Sequence, residues 1–236
     1  MDSEERINDG VLALFAQWKQ EVGVKNPQLF SGAFSNIFCP GVTNDWVQST
    51  MRMMVIGEEA TWSSRDRYNY HKDAELRTCQ RWIIDEMNGQ LTGTQKPHKS
   101  PFWRRIRAMK KAFPDAAFFW ANMDCINTSA GKALSSPDRK ALHDCNTQLA
   151  RQLVDIINPT HIIFFGWHDI SLQHEFPDLC GVVYPHKFGD TGYMKENRYL
   201  LRTKYQGKTV VFTYHPSWLR ANSDDYIQRI NKLLLE

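Results

Sequence analysis

Four short apolar runs rich in β-branched and aromatic residues constrain this chain more than any other feature: Arg52 to Ile56, Ala116 to Ala121, His161 to Phe165 and Thr209 to Tyr214. Each is too short for a helix, and each is followed by Gly, Asn or a His-Pro pair, the punctuation that ends a buried strand. Between them the apolar spacing becomes helical. Ile7, Val11, Leu14, Phe15 and Trp18 follow an acidic first turn and predict an amphipathic helix from about Glu5 to Val22. Ser136 as a cap, Pro137 at the first helical position and the stripe Leu142, Leu149, Leu153, Ile156 and Ile157 predict another, which stops before Asn158-Pro159. A last helix, capped by Asn222 or Ser223, runs through Tyr226, Ile230 and Leu233. The stretch from Gly23 to Gln48, with Pro27, Gly32, Pro40 and Gly41, has no sustained period and reads as a long irregular connection. Strands alternating with helices imply an α/β fold whose mainly parallel sheet is covered on both faces, with its chemistry at the carboxyl ends of the strands.

Composition narrows the class. A chain of 236 residues with 42% apolar side chains can bury one sizeable core, which excludes a linker or a disordered tail. A net charge of +3 excludes a histone-like or strongly acidic binder. The five cysteines, at 39, 79, 125, 145 and 180, contain no C-x-x-C pair, and an odd, sparse set suits reduced thiols in a cytoplasm. The start is acidic, and no apolar run approaches the ~18 residues of a membrane span, so a cytoplasmic protein without a membrane partner is expected.

The strand ends carry the candidate chemistry. After the first run comes Gly57-Glu58-Glu59-Ala60-Thr61, where Gly57 allows a tight bend and aims Glu58 at the crevice; two solvated loop acids are the alternative. GxGxxG and P-loop patterns are absent. After the second, Asn122 offers a carbonyl and an amide, a match for a pyrimidine edge, or else a turn Asn bonded to its own backbone. After the fourth, Thr213-Tyr214-His215-Pro216-Ser217-Trp218-Leu219-Arg220 holds an imidazole at the mouth of the sheet and sets an apolar wedge beside a cation.

Taken together, these strings resemble the uracil-DNA glycosylase superfamily, and within it the bacterial and archaeal branch called family 4. Gly57-Glu58 matches the opening of its G-E-x-P-G motif, and Lys99-Ser100-Pro101-Phe102 is similar to its R-P-F stretch. Ala121-Asn122 through Cys125 resembles its T-N-V-V-K-C strand end. Ile157 to Gly166 is similar to its I-x-P-x-x-I-x-x-L-G strand, and Thr213 to Arg220 to its T-Y-H-P-A-x-L-x-R motif. The likeness runs from about Arg52 to the C-terminus, with five motifs in order. Two departures stand out. Ala60 and Thr61 replace the Pro and Gly of the first motif, and the family's iron–sulfur cysteines have no C-x-x-C counterpart, so no metal cluster is expected.

The resemblance implies a three-layer α/β/α fold with a short, mainly parallel four-stranded central sheet. It would form a single domain over 1–236 with an N-terminal helical extension (1–50) and an insertion (about 63–98) holding Tyr68, Tyr70, His71 and Trp82. It also implies hydrolysis of the N-glycosidic bond of uracil or a related deaminated or damaged base in DNA, with no cofactor. In that reading Glu58 and His215 are catalytic, while Gly57, Phe102 and Asn122 bind the base. Ser217, Trp218, Leu219 and Arg220 would engage DNA, with Leu219 as the wedge, and Trp62 or Tyr70 would exclude thymine. Residues 101–150 hold eight Lys/Arg against four Asp/Glu, and Arg104, Arg105, Arg107, Lys110 and Lys111 fall on an expected helix that would either contact DNA phosphates or form a solvated face. The alternatives are a non-catalytic nucleic-acid- or nucleotide-binding protein on the same fold and a hydrolase of free nucleosides.

Overall fold

The alternation of short apolar runs with helical stretches yields one mixed sheet of five strands and six helices in the computed structural model, which describes residues 3–27, 37–59, 75–126, 135–165, 200–216 and 224–235. In chain order these are α1 (Ser3–Lys25), α2 (Asn44–Gln48), β1 (Arg52–Glu59), α3 (Leu76–Thr92), α4 (Pro101–Ala112), β2 (Ala117–Asp124), α5 (Ser136–Ile157), β3 (His161–Phe165), β4 (Leu200–Tyr205), β5 (Lys208–Thr213) and α6 (Asp224–Leu235). The strand order is β2-β1-β3-β5-β4. Strands β1 and β5 flank β3 in parallel, with Ile56 opposite Phe164 and Phe165 opposite Thr213.

The α/β class stands, and the mainly parallel four-stranded sheet is corrected to one mixed sheet with five described strands. The fifth, β4, runs antiparallel to β5, with Leu200 opposite Thr213. Gln206 (φ 48°) and Gly207 (φ 77°) both adopt left-handed backbone, the two-residue turn whose twist suits a hairpin. Glycine takes that geometry without a Cβ clash. Arg202 and Lys204 break the apolar pattern of β4 and hide it from a search for buried runs.

The chain divides into two compact units: Met1–Val47, Glu58–Asp85 and Trp120–Asn158 form the first, and Gln48–Gly57, Glu86–Phe119 and Pro159–Glu236 the second. In the first, α1 packs along α5, with Val11, Leu14, Phe15, Trp18 and Val22 buried. Ser135, one residue before the expected cap, accepts from the Asp138 backbone N–H at 3.3 Å, putting Ser136 and Pro137 in the first turn of α5. The helix ends at Asn158 in a left-handed cap, where expected. Trp46 Nε1 donates to the Ile157 carbonyl at 2.9 Å and so satisfies one of the last orphan acceptors of the helix. The expected irregular connection contains α2; residues 37–43 are fixed by Asn8, whose amide exchanges two hydrogen bonds with Val42, and by Gln80, which donates to the Asn8 and Pro40 carbonyls. A Cβ on Gly41 would lie 2.6 Å from Ile84 Cδ1 and 2.9 Å from Asn8 Oδ1 and Gln80 Cγ, so any larger residue has to push these side chains aside.

In the second unit, α6 packs on β5 and α4, and Phe164 stacks on Phe212 across the parallel pair at 4.7 Å. At the amino end of β3, the His161 ring lies between Thr160 Oγ1 (2.8 Å) and the Leu234 carbonyl (3.0 Å). This ties the end of α6 to the sheet. The expected caps Asn222 and Ser223 lie outside the described residues.

Candidate functional site

Helix α4 starts where its sequence says it should. Ser100 accepts from the Trp103 backbone N–H, and Pro101 occupies the first turn. The preceding loop is held from behind: Gln90 donates to the Lys96 carbonyl and accepts from the His98 N–H and from Arg107, which also donates to the His98 carbonyl. Arg107 is thereby engaged with its own loop. Phe102, half-buried, meets Phe165 edge-on at a centroid distance of 5.7 Å, which puts it at the carboxyl end of β3.

His215 follows the carboxyl end of β5 by two residues and is half-buried. Phe102 and His215 thus share the carboxyl edge of the β3/β5 pair within the second unit. Gly57 is buried in the same unit, one residue past the Ile56–Phe164 pair. It does not make the expected bend, because β1 continues through it to Glu59. Glu58 therefore belongs to the strand, in the first unit; its side chain lies outside the described residues, as do Trp62, Tyr68, Tyr70, His71, Ser217, Trp218, Leu219 and Arg220.

Arg105 requires a correction. It is 0% exposed, so it lines no phosphate-binding face. Its Nη1 donates to the Tyr214 carbonyl at 2.7 Å and to Thr213 Oγ1 at 3.1 Å, and its guanidinium lies over the rings of Phe165 (4.8 Å) and Tyr226 (5.5 Å). Burial lowers its pKa to about 10, so it is still a cation near neutrality. Lys110 donates to the Pro114 and Ala116 carbonyls beyond the end of α4. Arg104 and Lys111 are the members of the expected set that stand exposed on α4.

In the first unit, Asn122 sits inside β2, two residues from its end, and is 8% exposed. Its side chain makes no turn. Oδ1 accepts from Trp120 Nε1 at 3.1 Å, on the same face of the strand, while Nδ2 has no hydrogen-bond partner among the described residues. An indole N–H can only donate, so this contact fixes the carbonyl toward Trp120 and turns the amide donor the other way. Trp120 is itself seated against Phe38, at 4.6 Å and edge-on. Asp124, next on that face, accepts from Asn146 Nδ2 (3.2 Å), and Asn146 Oδ1 accepts from Trp18 Nε1 (3.1 Å). Buried polar groups nearly always have partners, which makes the Asn122 amide donor a candidate to meet a ligand acceptor.

The cysteines at 39, 79, 125 and 145 are buried free thiols. Burial pushes Cys39 and Cys125 well up and Cys79 to about 11, which keeps these three protonated. Among the described residues, no three His, Cys, Asp or Glu side chains form a metal-ligand group, and no helix is long and apolar enough to cross a membrane.

Sequence reasoning gave Arg105 a phosphate-contacting role and did not single out Tyr226, Phe165 or Asn146 at the site. For Arg105 the signal was present: Phe102, Arg105, Ile106 and Met109 fall at helical spacing on one stripe, and a cation within that stripe is turned inward. No family model matches the chain, and no curated protein matches it.

Proposed function

We propose that the chain is a cytoplasmic DNA glycosylase-like hydrolase on a three-layer α/β/α fold, which releases uracil or a related deaminated or damaged base after flipping it out of DNA. The observation that carries this reading is the buried Asn122 amide, oriented by Trp120 and with no partner for its donor among the described residues. A flipped pyrimidine supplies a carbonyl acceptor for Nδ2, and Oδ1 retains a second lone pair for the ring N–H. Support comes also from Phe102 and His215 at one strand edge, where an aromatic face for stacking and a hydrogen-bond donor to a departing base are both needed. As the glycosidic bond lengthens, negative charge grows on the base and positive charge on the sugar. His215 stabilises the former by donating to the base carbonyl, and Glu58 stabilises the latter and orients the water. Leu219, flanked by Ser217, Trp218 and Arg220, fills the space the base leaves, and Arg104 and Lys111 contact phosphates. No cofactor takes part.

Uracil-, hypoxanthine- and xanthine-containing oligonucleotides, single and double stranded, test the reading. Alkali-labile sites are expected in at least one, with base release lowered about 10²- to 10⁴-fold in His215→Ala. No such site in any of them overturns it. A second reading, binding without cleavage, is favoured by the continuation of β1 through Glu59, since Glu58 then sits in regular strand rather than in a bend. Salt-sensitive DNA binding without base release would establish it, and Lys111→Ala would then flatten the salt dependence by about one charge.

A further inference from the structure

The residue before His215 is held on both sides by side chains. The Tyr214 N–H donates to the Tyr226 hydroxyl at 2.9 Å, which fixes the peptide between Thr213 and Tyr214. The Tyr214 carbonyl accepts from Arg105 at 2.7 Å, and this carbonyl belongs to the peptide plane that carries the His215 nitrogen. The same guanidinium nitrogen reaches Thr213 Oγ1, which itself lies 3.3 Å from the Phe164 carbonyl on β3. On the other side of His215 stands Pro216, whose ring confines His215 to extended backbone. His215 therefore projects from a backbone determined on both sides.

We propose that Arg105 is a positioning residue for His215: by clamping the Tyr214 carbonyl from within the fold, it sets the peptide plane from which the imidazole is presented at the carboxyl edge of β3 and β5. The assignment deepens the reading of His215 as the group that meets the departing base and rests on it. Arginine is the residue type this task requires. Nη1 reaches both acceptors while the flat faces of the guanidinium lie over Phe165 and Tyr226, a contact that the compact ammonium of lysine cannot make. Desolvating a guanidinium is costly, and a methionine would fill the same space without that cost, so packing alone gives no reason for a cation here.

The test reads His215 directly and does not depend on any substrate. Backbone ¹⁵N relaxation and the ring resonances of His215 are measured in the full chain, assigned by difference with His215→Asn. In Arg105→Met the His215 amide order parameter is expected to fall from about 0.85 to below about 0.6, with its ring signals shifted and the other histidines unmoved. Arg105→Lys should recover part of the order. Ile106→Val, a small cavity on the same helix that removes no hydrogen bond to Tyr214 or Thr213, should leave His215 as it was. If Arg105→Met does not fold, Thr213→Val takes its place, removing one Arg105 acceptor together with the 3.0 Å bond from the Thr213 hydroxyl to the Tyr214 carbonyl, with an intermediate loss of order expected. A folded Arg105→Met, or failing that a Thr213→Val, with the wild-type order at His215 overturns the proposal. Absence of base release from the wild type, by contrast, overturns the reading of the site and leaves the clamp measurable.

Discussion

Two regions of the first unit bury amide side chains, and they use them differently. Beneath residues 37–43, the Asn8 amide closes a reciprocal pair with the Val42 backbone, and Gln80 bridges two carbonyls from α3. On β2, the Asn122 amide is held by its oxygen alone, and its nitrogen has no partner among the described residues. The first arrangement substitutes for the backbone hydrogen bonds that an irregular segment lacks. The second leaves a donor of fixed direction without a partner among the described residues. An amide satisfied at both ends holds a segment in place; one satisfied at a single end still has a donor to use.

Mutations can break this contrast. Asn8→Ala strands the Val42 N–H and C=O in the interior and is expected to lower the unfolding free energy by about 2–4 kcal/mol in urea titration. Gly41→Ala, which forces a methyl against Ile84 and Asn8, should cost about 1–3 kcal/mol by the same measurement. Asn122→Ala is expected to cost less than about 1 kcal/mol, because the half-buried Trp120 indole it releases can turn to water. A loss as large as that of Asn8→Ala would make Asn122 structural and end the contrast. The contrast sharpens if free uracil raises the melting temperature of the wild type and not of Asn122→Ala.

The smallest expected effect concerns an imidazole held at both nitrogens. Burial is the main cause that holds the His161 pKa below its usual value, with Lys204 and Arg202 adding to it and the Leu234 carbonyl opposing. The unfolded chain therefore binds this proton at a higher pH than the folded one. Its contribution is whole above about pH 6.5 and declines as pH falls below that value toward the folded pKa. Urea titrations at pH 7.5 and 5.5 should show a pH-dependent loss that His161→Gln reduces; an undiminished loss would assign it to other groups.

The strands β1, β3 and β5 were legible because each is apolar on both faces, which a one-dimensional pattern records directly. The ends of α5 were legible to within one residue for a similar reason, since caps are local chemistry. β4 was not, because its Arg202 and Lys204 are tolerated only through an edge position that pairing decides. For the candidate residues Phe102, Asn122 and His215, the types and order could be read, whereas the side chains packed around them could not. Phe165 meets Phe102 and Tyr214 meets Arg105 across sequence separations that no spacing rule spans. Arg105 itself was misread because three arginines within four positions look like a basic face, although the rotation of about 100° per residue turns the middle one toward the buried Ile106 and Met109.

The charged strand β4 also bears on how copies of this protein meet one another. Among the described residues it is, with β2, one of the two outermost strands of the sheet, and an outermost strand can offer unpaired backbone groups to an extended chain that approaches. Arg202 and Lys204 lie on that rim, where a second strand would bring its own like charges into register and repel itself. Neutral β-formers at both positions would keep the hairpin and remove the repulsion, turning a sheet that ends at β4 into one that another copy can extend.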